Sequence, residues 1–144
     1  MALPAFAENG DLPVGLHRAS LIEVLNRFGS GSSKRARLSK RLERIYRLAV
    51  RTGRLRRFVV FGSFITGEPE PNDVDVFLLM EDSFDVDQTS DELRLLFEHS
   101  AAQAYFGASI FWLRRLAVIS SEQAAIEDWQ VKRDGTRRGI VEIV

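Results

Sequence analysis

Two aspartates separated by one residue are the side chains in this sequence best suited to carry chemistry. Asp73 and Asp75 begin the run Asp-Val-Asp-Val-Phe-Leu-Leu-Met, whose apolar residues are typical of a buried strand. Side chains alternate along a strand, so both carboxylates should project from one face, about 7 Å apart. No basic residue lies nearby in sequence to pair with them, and burying an unpaired carboxylate is costly. The pair therefore favours a divalent cation, and Mg²⁺, with Mn²⁺ as an alternative, suits two carboxylates and phosphate oxygens.

A Gly-Ser step precedes the aspartates and follows another apolar run. Gly62 lets the backbone approach a phosphate, and the hydroxyl and N–H of Ser63 can bind its oxygens. Thr66 either supports this loop through its hydroxyl or caps a short helix. Either motif alone could simply mark the end or the beginning of a strand. The two motifs lie ten residues apart, from Ser63 to Asp73, and each adjoins an apolar run, which favours one shared phosphate and metal site.

Hydrophobic periodicity predicts the elements that position these motifs. Leu38, Leu42, Ile45 and Ala49 form one helical face, which predicts a long helix over 34–52 ended by Gly53. Further helices are predicted over 21–28, over 91–99 with a continuation over 101–106, and over 121–130; strands are predicted over 55–61, 73–80, 108–113 and 139–144. We expect one domain over 1–144, with an irregular lead-in and a short helix over 1–33 and a helix-plus-sheet core over 34–144. The element order predicts an α/β (α+β) fold with a small mixed β-sheet flanked by helices.

The net charge of zero conceals two oppositely charged segments. Between Lys34 and Arg57 there are 11 basic residues and one acid, whereas between Glu68 and Glu98 there are 11 acids and one base. The basic segment is either a solvated helix face or a surface for phosphate or nucleic acid.

Composition excludes several classes of protein. The absence of cysteine rules out disulfides, thiolate metal sites and cysteine nucleophiles. The longest stretch without a charged residue, His99 to Leu113, is too short and too polar for a membrane span. Met1 to Asp11 lacks the basic and apolar regions of a secretion signal, so we expect a cytoplasmic protein.

Gly62-Ser63 followed by Asp73-x-Asp75 resembles the signature of the polymerase-β-like nucleotidyltransferase superfamily. More closely, most of the chain is similar to a family of small bacterial proteins with a nucleotidyltransferase-like domain. The matching motifs are Leu12-Pro13-x-Gly15, Gly62-Ser63-Phe64-x-Thr66, Pro71-Asn72-Asp73-x-Asp75 and Lys132-Arg133-Asp134-x-x-x-x-Gly139-Ile140-Val141.

This resemblance implies a nucleotidyltransferase-like fold and a magnesium-dependent transfer of a nucleoside monophosphate from an NTP to a protein, RNA or small-molecule acceptor. Gly62 and Ser63 would hold phosphates, Thr66 would complete the nucleotide-binding loop, and Asp73 and Asp75 would bind one or two ions. An RNA or protein acceptor would contact the basic helix of Lys34 to Arg57. Small members of the superfamily often pair with a protein encoded in the same operon, in toxin–antitoxin or defence systems.

The superfamily usually supplies a third carboxylate from a later strand, but the strand predicted over 108–113 has no acid. Ser109 or Ala108 occupies the expected place, and Glu98, Asp91 or Glu142 could substitute for it. The alternative function is therefore a catalytically weak or inactive binding module for RNA or a protein partner.

Overall fold

Five strands form one mixed sheet in the computed structural model, which describes residues 3–144 and confirms the expected fold class. The strand order is β1-β5-β2-β3-β4. The two outer pairs, β1 with β5 and β3 with β4, are parallel, whereas β2 is antiparallel to both of its neighbours. The strands span Leu16–Ala19 (β1), Leu55–Phe61 (β2), Val74–Met80 (β3), Ala108–Arg114 (β4) and Ile140–Ile143 (β5).

The longest helix packs against one face of this sheet. The helices span Leu21–Phe28 (α1), Ser33–Arg51 (α2), Asp91–Leu95 (α3), His99–Phe106 (α4) and Glu122–Glu127 (α5). Ser20 and Glu23 form a capping box at the start of α1, and the Ser32 hydroxyl accepts a hydrogen bond from the Arg35 N–H at the start of α2. None of the helices formed by residues 3–144 is long and apolar enough to cross a membrane.

Strand alternation divides the core into two clusters. Val76, Leu78 and Ile110 lie on the side of the sheet that packs against α2, which we call the helix face. Phe77 and Leu79 lie on the other side, in a smaller cluster that includes Ile126 of α5. We call this side the cleft face, and by the same alternation Asp75 and Ser109 belong to it.

The prediction of an irregular lead-in over residues 1–33 is wrong for 16–19. These residues form β1, an edge strand paired in parallel with β5 from Leu16 opposite Ile140 to Ala19 opposite Ile143. A four-residue strand containing His17 and Arg18 has little local signal, and its partner lies at the other end of the chain. Residues 1–2, which the predicted lead-in includes, lie outside the described part of the chain.

The prediction of one helix over 91–99 is also wrong. α3 ends at Leu95, and His99 begins α4 instead of ending a helix. The break places Leu96 and Phe97 in the core, where the Phe97 ring packs against Phe84 and Trp112. Burial of these two apolar side chains explains why the chain leaves the helix there.

A buried arginine of α2 fixes the loop that follows Gly62. Arg35 is 6% exposed, and its guanidinium donates hydrogen bonds to backbone carbonyls of Phe64 (2.8 Å), Thr66 (2.7 Å) and Glu68 (2.5 Å) in that loop. It also donates to the carbonyl of Phe28, at the end of α1. One side chain therefore satisfies carbonyls of residues 64–68 and ties them to both N-terminal helices.

Replacing Arg35 with alanine should destabilise the protein because several buried carbonyls lose their donor at once. We expect Arg35→Ala to lower the free energy of unfolding by about 3 kcal/mol. Arg37→Ala, an exposed position on the same helix, should change it by less than about 0.5 kcal/mol. Urea denaturation of both variants measures the difference, and equal effects would contradict the role given to Arg35.

Candidate functional site

Gly62 and Asp75 are in direct contact because the antiparallel pairing of β2 and β3 places Phe61 opposite Asp75. Gly62 leaves β2 with φ +83° and ψ −165°, a conformation that residues with a side chain rarely adopt. A Cβ on Gly62 would lie 3.0 Å from Cγ of Asp75 and closer still to its carboxylate oxygen. Glycine at position 62 therefore makes room for the Asp75 carboxylate beside the Gly-Ser turn.

The two predicted aspartates come together at the start of β3. Burial, followed by the charge of Asp73 and a hydrogen bond between the two side chains, raises the pKa of Asp75 to about 7. The Ser109 hydroxyl and the charge of Arg138 act in the opposite direction. Asp75 therefore keeps its proton to a higher pH than an ordinary aspartate, and a cation bound beside it would compete with that proton.

Ser63 and Thr66 have different places in the Gly-Ser loop. Ser63 lines the same cleft as both aspartates and opens a short 3₁₀ turn, Ser63–Ile65. The Thr66 hydroxyl donates to the carbonyl of Ser63 (2.7 Å) and accepts from the N–H of Glu68 (3.2 Å). Thr66 is 6% exposed and does not line the cleft, so its hydroxyl supports the loop from behind.

Ser109 occupies the place expected for a third carboxylate. It lies opposite Asp75 on β4, and its hydroxyl donates to Oδ2 of Asp73 over 3.4 Å. The three acids considered as substitutes, Glu98, Asp91 and Glu142, do not line the cleft. Glu142 instead forms a close ion pair with Arg57 (2.8 Å), where both side chains are at most 10% exposed.

Two carboxylates suit Mg²⁺ better than a metal ion whose ligands must all come from the protein. Within residues 3–144 no group of three or more histidine, aspartate or glutamate side chains is arranged to hold a metal ion. Mg²⁺ binds through one or two carboxylates and completes its shell with water and substrate phosphates. Asp73 and Asp75 would supply the two carboxylates for such an ion, and burial followed by the charge of Asp73 accounts for the raised pKa of Asp75.

The aspartates and the Gly-Ser turn open into a cleft of about 770 Å³, within the usual range for small-molecule sites. Its far wall is the segment 131–138, which contributes Lys132, Arg133, Asp134 and Arg138. The backbone and hydroxyl of Thr136 donate to Asp134 (2.9 and 2.6 Å) and lower the pKa of Asp134. The cleft therefore contains both carboxylates and cations, and the charge of Arg138 reaches Asp75.

Sequence reasoning missed the residue that holds these cations in place. Asp11, only 8% exposed, accepts from Nζ of Lys132 (3.1 Å) and lies 3.7 Å from Nη1 of Arg138. The Asp134-Gly135 turn was visible in the sequence, but the contact between Asp11 and Lys132 joins residues 121 positions apart. Its only sequence signal was an acid beside the Leu12-Pro13-x-Gly15 motif.

The basic helix does not contribute to the cleft. None of the cleft-lining residues belongs to α2, which packs on the helix face of the sheet. Several of its cations already have partners within the chain: Arg35 is buried, Arg44 pairs with Glu92, and Arg47 pairs with Glu43. A ligand in the cleft would therefore meet the cations of 131–138 and not those of α2.

The chain belongs to a family of unknown function (DUF6932), whose model matches residues 4–144. No curated protein and no solved structure matches this chain significantly.

The raised pKa of Asp75 predicts a pH-dependent stability. The folded protein keeps a proton on Asp75 that the unfolded chain releases above its ordinary pKa of 3.8, so this group costs stability as pH rises from about 4 to 7. Asp75→Asn removes that cost. We expect it to stabilise the protein by about 1–2 kcal/mol at pH 8 and to lose most of that gain at pH 4.

Thermal and urea unfolding at both pH values measure this effect. Asp134→Asn is the matched control in the same cleft: because the pKa of Asp134 is lowered, this variant should not stabilise the protein at pH 8. A gain for Asp75→Asn that is independent of pH would contradict the argument.

Proposed function

We propose that this chain binds a nucleoside triphosphate together with Mg²⁺ or Mn²⁺ in the cleft and transfers its nucleoside monophosphate slowly to an acceptor. The contact between Gly62 and Asp75 carries the proposal, because it joins the phosphate-binding turn and the carboxylate pair in one site. A phosphate held at the Gly62-Ser63 turn would lie directly beside the carboxylates.

The residues of the cleft divide into three roles. Asp73 and Asp75 would hold the ion, whose chemistry is to neutralise phosphate charge and align the attacking and leaving oxygens. The backbone of Gly62 and the hydroxyl of Ser63 would bind phosphate oxygens. Lys132 and Arg138, held by Asp11, would bind the negative charge at the far end of the triphosphate.

The transfer step requires an acceptor oxygen that attacks the α-phosphorus. A bond forms between that oxygen and phosphorus, the bond from phosphorus to the α–β bridging oxygen breaks, and pyrophosphate leaves with the electron pair. The acceptor proton passes to water, because Ser109 stands where a carboxylate base would be and a serine hydroxyl is not a base at neutral pH. This absence of a base supports slow turnover.

The second candidate is a binding module without turnover, and Ser109 is the observation that favours it. Its partner would be RNA or a protein, including one encoded in the same operon. The position of α2 on the helix face argues against an acceptor that reaches the cleft along the basic helix, although that helix remains a candidate surface for a separate partner. A cytoplasmic location also remains a prediction.

Binding of MgATP tests the proposal directly. We expect isothermal titration calorimetry to detect MgATP binding to the wild-type protein and a loss of affinity of about tenfold or more in Asp75→Asn, because the ion loses a ligand. Asp75→Asn is expected to be the more stable protein at pH 8, so weaker binding cannot be attributed to unfolding. Asp128→Asn, an exposed acid outside the cleft, is the control. Unchanged affinity in Asp75→Asn would overturn the proposed site.

Restoring a carboxylate at position 109 tests whether the missing base limits turnover. We expect Ser109→Asp to raise pyrophosphate release from ATP by about tenfold or more, with water or the protein's own hydroxyl groups as acceptor. Ser109→Asn, of the same size but uncharged, should give no increase. If neither the wild-type protein nor Ser109→Asp releases pyrophosphate while MgATP still binds, the binding module is the correct function.

A further inference from the structure

Three aromatic side chains pack against one another in the cleft that also contains the carboxylates. Phe61 of β2, Phe111 of β4 and Trp129 all line the cleft, and we call them the aromatic shelf. The ring centroid of Trp129 lies 4.6 Å from that of Phe61 and 5.3 Å from that of Phe111. The three ring planes are inclined to one another by only 32–40°.

The geometry of the aromatic shelf differs from that of the aromatic core on the helix face. There, Trp112 meets Phe84 at 90° and Phe97 at 84°, the edge-to-face arrangement that rings adopt when they pack against each other. The shelf rings are less inclined than these pairs, and at centroid separations of 4.6–5.3 Å they pack partly face to face. The His99 ring also packs on Phe111, at 5.0 Å, so the surface that a ligand can stack on is the exposed part of Phe111 and the ring edges beside it. Phe77, buried at 1% exposure, supports Trp129 from within the sheet at 5.0 Å, whereas Phe111 remains 38% exposed.

The aromatic shelf lies next to the carboxylate pair on the cleft face. Phe61 is paired directly with Asp75, and Phe111 follows Ser109 by two residues on β4, so their side chains project from the same side. Two residues along a strand correspond to about 7 Å. A ribose spans a distance of that order between a phosphate and its base.

We propose that the aromatic shelf binds the nucleobase of the triphosphate by stacking and that the site therefore prefers purine over pyrimidine nucleotides. This inference rests on the proposed function, because it places the base by reference to phosphates at Gly62 and Ser63. Stacking depends on the area of the overlapping rings, so a purine gains more from the shelf than a pyrimidine does. A phosphate chain without a base gains nothing from it.

The test compares ligands that share phosphates but differ in the base: MgATP, MgCTP and magnesium tripolyphosphate. Wild-type protein should bind MgATP about fivefold or more tightly than tripolyphosphate, with MgCTP in between. Phe111→Ala should remove most of this advantage while leaving tripolyphosphate affinity within about twofold. Leu113→Ala is the matched control, because Leu113 lies on the same face of the same strand, is 40% exposed and does not line the cleft.

A second measurement leaves the aromatic shelf intact. The chain has two tryptophans, and Trp112 lies on the helix face, so Trp112→Phe leaves Trp129 as the only indole. We expect MgATP, but not magnesium tripolyphosphate, to quench the fluorescence of this variant. Quenching by both ligands or by neither, at concentrations that calorimetry shows to saturate the site, would overturn the inference.

The outcomes separate this inference from the proposed function. Equal affinity of wild-type protein for MgATP and tripolyphosphate, or an equal loss of both in Phe111→Ala, would refute stacking and leave the phosphate and metal site standing. Failure of every ligand to bind the wild-type protein would refute the proposed function itself.

Discussion

The contact between the Asp75 carboxylate and the backbone of Gly62 is the constraint on which the candidate site depends. It is produced by the register of β2 and β3, which places Phe61 opposite Asp75. Gly62, the residue after Phe61, therefore lies against the Asp75 carboxylate. Only a residue without a Cβ fits there, and its φ of +83° also requires glycine. Two motifs that look separate in the sequence are therefore the two sides of one contact. A slip of the register by one residue would turn Asp75 toward the helix face and separate them.

Residues that do not line the cleft hold the loop between these motifs in position. Arg35 binds carbonyls of residues 64–68, and Thr66 closes the turn onto the carbonyl of Ser63. Asp11 does the same for the opposite wall by holding Lys132 and Arg138. Buried charged groups of this kind destabilise a protein unless all their hydrogen bonds are made. No buried side-chain nitrogen or oxygen lacks a partner within the described part of the chain, so Arg35 and Asp11 meet this condition.

The elements that the sequence predicted correctly are those with a local signal. The apolar residues of α2 recur with the period of a helix, and those of β2 and β3 form the short apolar runs of buried strands. The structure places the ends of all three elements within one residue of the predicted bounds. β1 was missed because pairing with β5, and not the residues Leu16 to Ala19 themselves, makes that segment a strand. The roles of Asp11 and Arg35 were missed for the same reason: both depend on contacts far apart in sequence. The aspartates, Gly62 and the Lys132-Arg133-Asp134 motif could be found because each signal is local, whereas the meeting of these motifs in one cleft and the grouping of the aromatic shelf depend on contacts far apart in sequence.

Serine at position 109 is understandable from the electrostatics of the pair beside it. Asp75 already carries a raised pKa because it is buried next to Asp73, and an aspartate opposite it on β4 would add a third like charge to the same place. Ser109 instead donates a hydrogen bond to Asp73, and its hydroxyl acts to lower the pKa of Asp75. Serine here leaves transfer chemistry without a carboxylate base, and it avoids a third negative charge beside two carboxylates that already repel each other. Under the proposed function, such a site would keep the carboxylate pair and the Gly62-Ser63 turn for a metal nucleotide, whereas no carboxylate would be present to deprotonate the acceptor.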